Sequence, residues 1–92
     1  MASRIQLFRR KIALGEYELT GHAKEEMEQD WLTIADVKAA IYNGRIVRTQ
    51  RHGTSRRKDI VEGRSMDERR MRLVCRLTES RLLRIITIFA VK

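Results

Sequence analysis

Apolar residues recur at helical spacing up to about residue 44 and at every second position after it, and this change of period predicts the layout of the chain. Ile5, Phe8 and Ile12 follow Ser3 and Gln6, which have the spacing of a capping box, and Gly15 supplies a left-handed stop. A first helix over about 4–14 is expected. Tyr17 to Thr20 alternates briefly and reads as a short edge strand. Thr20-Gly21-His22-Ala23-Lys24-Glu25-Glu26-Met27 opens a second helix, with Thr20 or Gly21 at its N-cap, Ala23, Met27 and Trp31 on one stripe, and its end near Asp30. Thr33 with Asp36 starts a third, with Ile34, Val37 and Ile41 buried, Ala40 allowing close packing and Asn43-Gly44 as the stop. The two later helices are expected to form an αα-hairpin with Trp31 packed at the joint; base stacking is the other use open to that side chain.

From Ile46 onward the spacing predicts strands over 46–51, 59–65, 70–77 and 82–91. Between the first two lies the polar, basic segment His52 to Lys58, whose composition predicts a mobile loop. The clearest alternation is in the third strand, with Met71, Leu73, Cys75 and Leu77 on one face and Arg70, Arg72 and Arg76 on the other. The last strand is so continuously apolar that a central place in the sheet is expected. Helices followed by strands give an α+β fold of two layers, with the N-terminal helices on one face of a four-stranded, mainly antiparallel sheet. The 92 residues make a single domain, in which 1–15 add a helix to a core over 17–91.

Charge sharpens this picture. Residues 1–44 hold 6 Lys and Arg against 7 Asp and Glu, whereas residues 45–92 hold 14 against 5, within a net charge of +8. The strand half is the basic half, so a polyanion is the partner its charge favours, unless the arginines are merely a solvated surface. On the uncovered sheet face Arg48, Arg64, Arg70, Arg72 and Arg76 are expected to gather, because a guanidinium holds phosphate oxygens in pairs and stays charged when partly desolvated. Arg9, Arg10 and Lys11 fall on the open side of the first helix.

Other chemistries find little support. A single cysteine, Cys75, sits within a strand as a small hydrophobe and cannot form an internal disulfide, and the N-terminus lacks the apolar core of a secretory signal. Together with the lack of a long apolar run, this predicts a cytoplasmic chain with no membrane segment. His22, His52 and Cys75 lack zinc spacing, and neither a phosphate loop nor a serine elbow occurs, so no metal or cofactor is expected. His22 stands out among titratable groups: Glu25 and Glu26 lie one turn on, where a carboxylate can take its proton and fix its tautomer. It reads either as a proton carrier or as a helix-capping residue at the core boundary.

Taken in order, Tyr17-Glu18-Leu19-Thr20-Gly21-His22-Ala23, Met27, Leu32 to Val37, Asn43-Gly44, Ile60 to Gly63, Arg70 to Val74 and Ile85 to Phe89 resemble the bacterial DUF4258 family over about 17–89. The resemblance implies a fold similar to the RelE, barnase and EndoU group of metal-independent ribonucleases, often toxins encoded beside an antitoxin. One departure is plain: where relatives usually carry arginines, this chain has Glu26 and Asp30. The expectation is an endoribonuclease toxin that cleaves RNA by attack of the 2′-hydroxyl. In it His22 carries a proton, Arg64, Arg72 and Arg76 stabilise the phosphorane, and Arg48, Arg51, Arg56, Arg57, Lys58 and Arg70 hold the RNA. Its expected partners are RNA and an acidic antitoxin, with a homodimer through the strand over 82–91 also open. The alternative is a non-catalytic basic module that docks nucleic acid or an acidic protein.

Overall fold

A computed structural model describes residues 3–52 and 56–91, with only the backbone of His52 and Arg56. Local chemistry sets its helices. Ser3 and Gln6 close a capping box at the start of α1 (Arg4–Ala13), and Gly15 turns the chain with φ 73°. The Thr20 hydroxyl accepts from the Ala23 N–H at 3.1 Å to cap α2 (Gly21–Gln29). Thr33 and Asp36 close a second box on α3 (Ile34–Asn43), and Asp36 Oδ1 also accepts from the Met66 N–H at 2.9 Å. Burial pushes the Asp36 carboxyl up, but the bonds from Thr33 and Met66 outweigh it and hold the group below its ordinary value.

The strands are β1 (Tyr17–Leu19), β2 (Arg45–His52), β3 (Arg56–Arg64), β4 (Arg70–Leu77) and β5 (Leu83–Ala90). They form one sheet in the order β1-β5-β4-β3-β2, parallel between β1 and β5 and antiparallel elsewhere. The sheet therefore has five strands and is mixed, where four were expected: Tyr17–Leu19 joins it by pairing with Leu83–Ile85, a contact between distant segments that no local pattern announces. That pairing puts β5 second from the edge and β4 at the centre. The basic loop is shorter than expected, because both flanking strands extend into it; its remainder, 53–55, lies outside the described residues.

The helices occupy one side of the sheet, α2 on β5 and α3 on β3, with α1 against α3, so α2 and α3 do not pair as the expected hairpin. Phe8, Val37, Ile41, Val61, Met71, Leu73, Leu83, Ile85 and Ile88 fill the space between the layers. Ile34, expected in the core, is 37% exposed. Trp31 is 87% exposed instead of packing the joint. The cause is the helix end: Trp31 takes φ 55° and the Leu32 N–H returns to the Met27 carbonyl at 2.8 Å, so Trp31 faces out while Leu32 enters the core. Two donors of Arg69 hold this turn, on the carbonyls of Asp30 at 2.7 Å and Trp31 at 3.1 Å.

On the helix-facing side of β3, two residues fix how the layers meet. A Cβ on Gly63 would lie 2.0 Å from the Ala40 carbonyl oxygen, so glycine alone lets α3 come this close. Asp59 is fully buried and accepts from Arg4, from Thr49 Oγ1 at 2.7 Å and from Arg57 Nε at 3.2 Å. Burial pushes its carboxyl up, yet those bonds and the Arg4 charge outweigh it and keep the group below its usual value. Buried Cys75 shows the opposite balance: burial first, then the Asp59 charge, push its thiol up to about 12, so it serves as packing and not as a nucleophile.

A depressed carboxyl stabilises the fold above its unfolded value and loses that contribution as pH falls through the folded one. Asp59→Asn is expected to cost about 3 kcal/mol at neutral pH, since Arg4 and Arg57 lose their buried counter-charge. The variant should also show a shallower fall of Tm than the parent as pH drops below about 4. Thermal melts across pH check both; equal Tm values at pH 7 would remove Asp59 from this role.

Candidate nucleic-acid interface

Pairing across the sheet decides which side chains share its uncovered side, because directly opposed residues point the same way. One row runs Arg45, Glu62, Arg72, Phe89, and the next Arg48, Ile60, Val74, Thr87. Arg64 opposes Arg70 at one end; at the other, Arg76 opposes Arg84, which opposes Glu18. Lys58 alternates with inward Asp59 and joins the same face. Among the described strand residues, eight cations, Arg45, Arg48, Lys58, Arg64, Arg70, Arg72, Arg76 and Arg84, thus stand against two carboxylates, Glu18 and Glu62. Between them lie half-buried Ile60, Val74 and Phe89.

Both carboxylates are engaged. Glu62 lies 3.1 Å from Arg72 Nε and 3.5 Å from Arg70 Nε, and Glu18 lies 2.6 Å from Arg84 Nε. At the β3–β4 turn Arg64 meets Glu68 at 3.3 Å, an exposed pair that water screens. Arg45, Arg48, Lys58 and Arg76 have no carboxylate within ion-pair distance among the described residues. A cavity of about 590 Å³ opens where β2 begins short of the end of β3, lined by Asn43, Arg45, Glu62, Gly63, Arg64, Glu68 and Arg70. The Asn43 side chain closes its strand edge, donating to the Arg64 carbonyl at 3.0 Å and accepting from the Arg64 N–H at 2.8 Å.

Of the residues expected to bind or stabilise RNA, Arg48, Lys58, Arg64, Arg70, Arg72 and Arg76 come together on this face. Arg51 and Arg57 do not: they oppose each other on the helix-facing side, where Arg57 is tied to Asp59. For Arg57 the expectation failed because a continuing strand was treated as loop; Arg51 lay in the expected strand, but it stands three residues after Arg48, an odd step that turns it to the other face. The Arg56 side chain lies outside the described residues. Arg9 and Lys11 also leave the list of free cations, since Arg9 donates to the Ile41 and Gly44 carbonyls and Lys11 is buried, 3.7 Å from Glu16. Arg45, Arg84 and the two carboxylates were missed: Glu62 stands two residues before Arg64 and alternation would have reached it, whereas Arg45 and Arg84 lie beyond register shifts in β2 and between β4 and β5 that simple alternation does not follow.

His22 sits apart from the arginine rows, on α2 at the outer edge of β5. Its Nε2 is 3.0 Å from Glu26 Oε1, and its side chain is 63% exposed. The same Glu26 oxygen accepts from the Ile88 N–H at 3.3 Å; Asp30 Oδ2 accepts from Ala90 N–H at 3.1 Å, and the Thr20 hydroxyl donates to the Ile86 carbonyl at 2.8 Å. These side chains satisfy the Ile86 carbonyl and the Ile88 and Ala90 N–H groups of β5 beyond the reach of β1, as coverings of an edge strand do. Glu26 and Asp30 thus have a structural use. No hydrogen bond or ion pair joins His22 to Arg64, Arg72 or Arg76 among the described residues. One strand, β5, separates the His22–Glu26 pair from Arg72, which opposes Phe89.

The fold and this face define a small α+β protein with an arginine-rich open sheet. The chain belongs to the DUF4258 family, a domain of unknown function whose match covers residues 19–90. No curated protein and no solved structure matches it. Among the described residues, no helix is long and apolar enough to cross a membrane.

Glu62 is the carboxylate at the centre of the basic face, and its removal should free two guanidinium groups for a polyanion. Glu62→Gln is expected to raise affinity for a polyanion such as heparin roughly threefold or more at low salt, the gain shrinking as salt rises. Titrations at two salt concentrations measure it; unchanged or weaker binding would place the polyanion surface elsewhere.

Proposed function

We propose that the chain binds single-stranded RNA across the open side of its sheet. The observation that carries this reading is the gathering of eight cations on one face around Ile60, Val74 and Phe89. Arginine forks take the phosphates, and the exposed part of Phe89 with its aliphatic neighbours offers the unpaired bases an apolar bed. A duplex would present its phosphates but keep its bases from that bed. An acidic protein partner, such as an antitoxin, would compete for the same arginines.

A second reading has its own support in the His22–Glu26 pair. An exposed imidazole whose ring is oriented by a carboxylate 3.0 Å away is placed as a general base would be. RNA bound along the arginine rows would bring its own nucleophile, the 2′-hydroxyl. His22 would take that proton as the 2′-oxygen bonds to phosphorus, while Arg72 and Arg76 would offset the charge on the phosphorane. The P–O5′ bond would then break, the 5′-oxygen leaving with a proton from water and the other strand end keeping a 2′,3′-cyclic phosphate. That is the chemistry of a metal-independent endoribonuclease toxin, the activity expected from the resemblance to the DUF4258 family. It needs the bound RNA to cross the β5 edge, because His22 lies outside the arginine rows.

Anisotropy titrations of a labelled single-stranded RNA should give log K falling linearly with log salt, at about 0.7 per phosphate contacted. Arg72→Ala is expected to weaken binding and reduce that slope by about one contact, and His22→Ala to leave both unchanged. In EDTA, a slow cleavage that His22→Ala abolishes would favour the toxin. Binding without cleavage leaves the RNA-binding reading, and absence of salt-dependent binding rejects both.

A further inference from the structure

We infer that the cavity at the corner of the open face takes the phosphorylated terminal nucleotide of an RNA strand. This rests on the proposed RNA-binding face and adds a site at its end. Three features point to a strand end. The sheet stops there, since Arg64 and Arg70 form the last pair before the β3–β4 turn and β2 begins only at Arg45. An RNA lying along the arginine rows therefore runs out of surface at this corner. The volume, about 590 Å³, falls in the range of small-molecule pockets and accommodates one nucleotide.

Its lining carries both signs, and a terminal nucleotide needs both. Arg45, Arg64 and Arg70 bring three guanidinium forks to one cavity. A phosphomonoester offers three terminal oxygens and close to two negative charges at neutral pH, whereas an internal phosphodiester offers two such oxygens and one charge. Arg45 has no ion-pair partner among the described residues, Arg64 is held only by exposed Glu68, and Arg70 only loosely by Glu62 at 3.5 Å. All three can turn to a phosphate without breaking a buried contact. Glu62 and Glu68, unfavourable for phosphate alone, can accept from the ring and amino N–H groups of a base.

The test compares three versions of one single-stranded RNA, with a 5′-phosphate, with a 3′-phosphate and with hydroxyls at both ends, each dye-labelled at an internal position. One phosphorylated version should bind roughly tenfold tighter than the hydroxyl version, and which one it is assigns the polarity of the strand. The ratio should shrink toward one at about pH 5, where the phosphomonoester gives up its second charge. Arg45→Gln should bring the ratio to about one, while Arg76→Gln, at the far end of the face, should weaken all three RNAs alike and keep the ratio. Equal binding of all three RNAs, or a preference that survives Arg45→Gln, overturns the terminal site and leaves the RNA-binding face standing. Failure of every RNA to bind removes both.

Discussion

The helix-facing side of β3 has no room for a second arrangement of the strand. At Gly63 the Ala40 carbonyl fills the space of a side chain, at Val61 the core closes, and at Asp59 a buried carboxylate meets Arg4, Arg57 and Thr49. A slip by one residue would bury Glu62 and Arg64 instead. With β3 fixed, β4 and β2 follow by pairing, and their arginines are turned to the uncovered side. The basic face is thus a consequence of what the other face cannot hold.

The same economy governs the outer edge of β5. Short β1 leaves the far half of that strand unpaired, and Thr20, Glu26 and Asp30 supply the missing partners from one helix. The backbone groups that these two acids satisfy give them a structural use. They also set the surroundings of His22, because Glu26 serves the imidazole and the strand with one oxygen. A substitution of Glu26 would therefore disturb the imidazole's contact and the sheet edge together.

What local sequence encodes was legible. The capping boxes at Ser3 and Thr33, the cap at Thr20 and the alternation of β4 each depend on residues a few positions apart, and each stands where expected. Pairing between distant segments was not. Nothing near Tyr17 announces Leu83, and nothing near Trp31 shows that Arg69 will hold its carbonyl and leave the indole in water. The site divides along the same line. Arg70, Arg72 and Arg76 could be assigned from one strand, whereas Arg51 and Arg57 needed the β2–β3 register, which places them behind the sheet.

The most direct measurement is the footprint of a single-stranded RNA on the arginine side chains, followed by NMR through their Nε–H signals. Arg45, Arg64, Arg70, Arg72 and Arg76 are expected to shift together on titration while Arg4, Arg9 and Arg57, engaged on the helix side, stay still. Shifts confined to the helix-side arginines, or spread evenly over both sides, would contradict it.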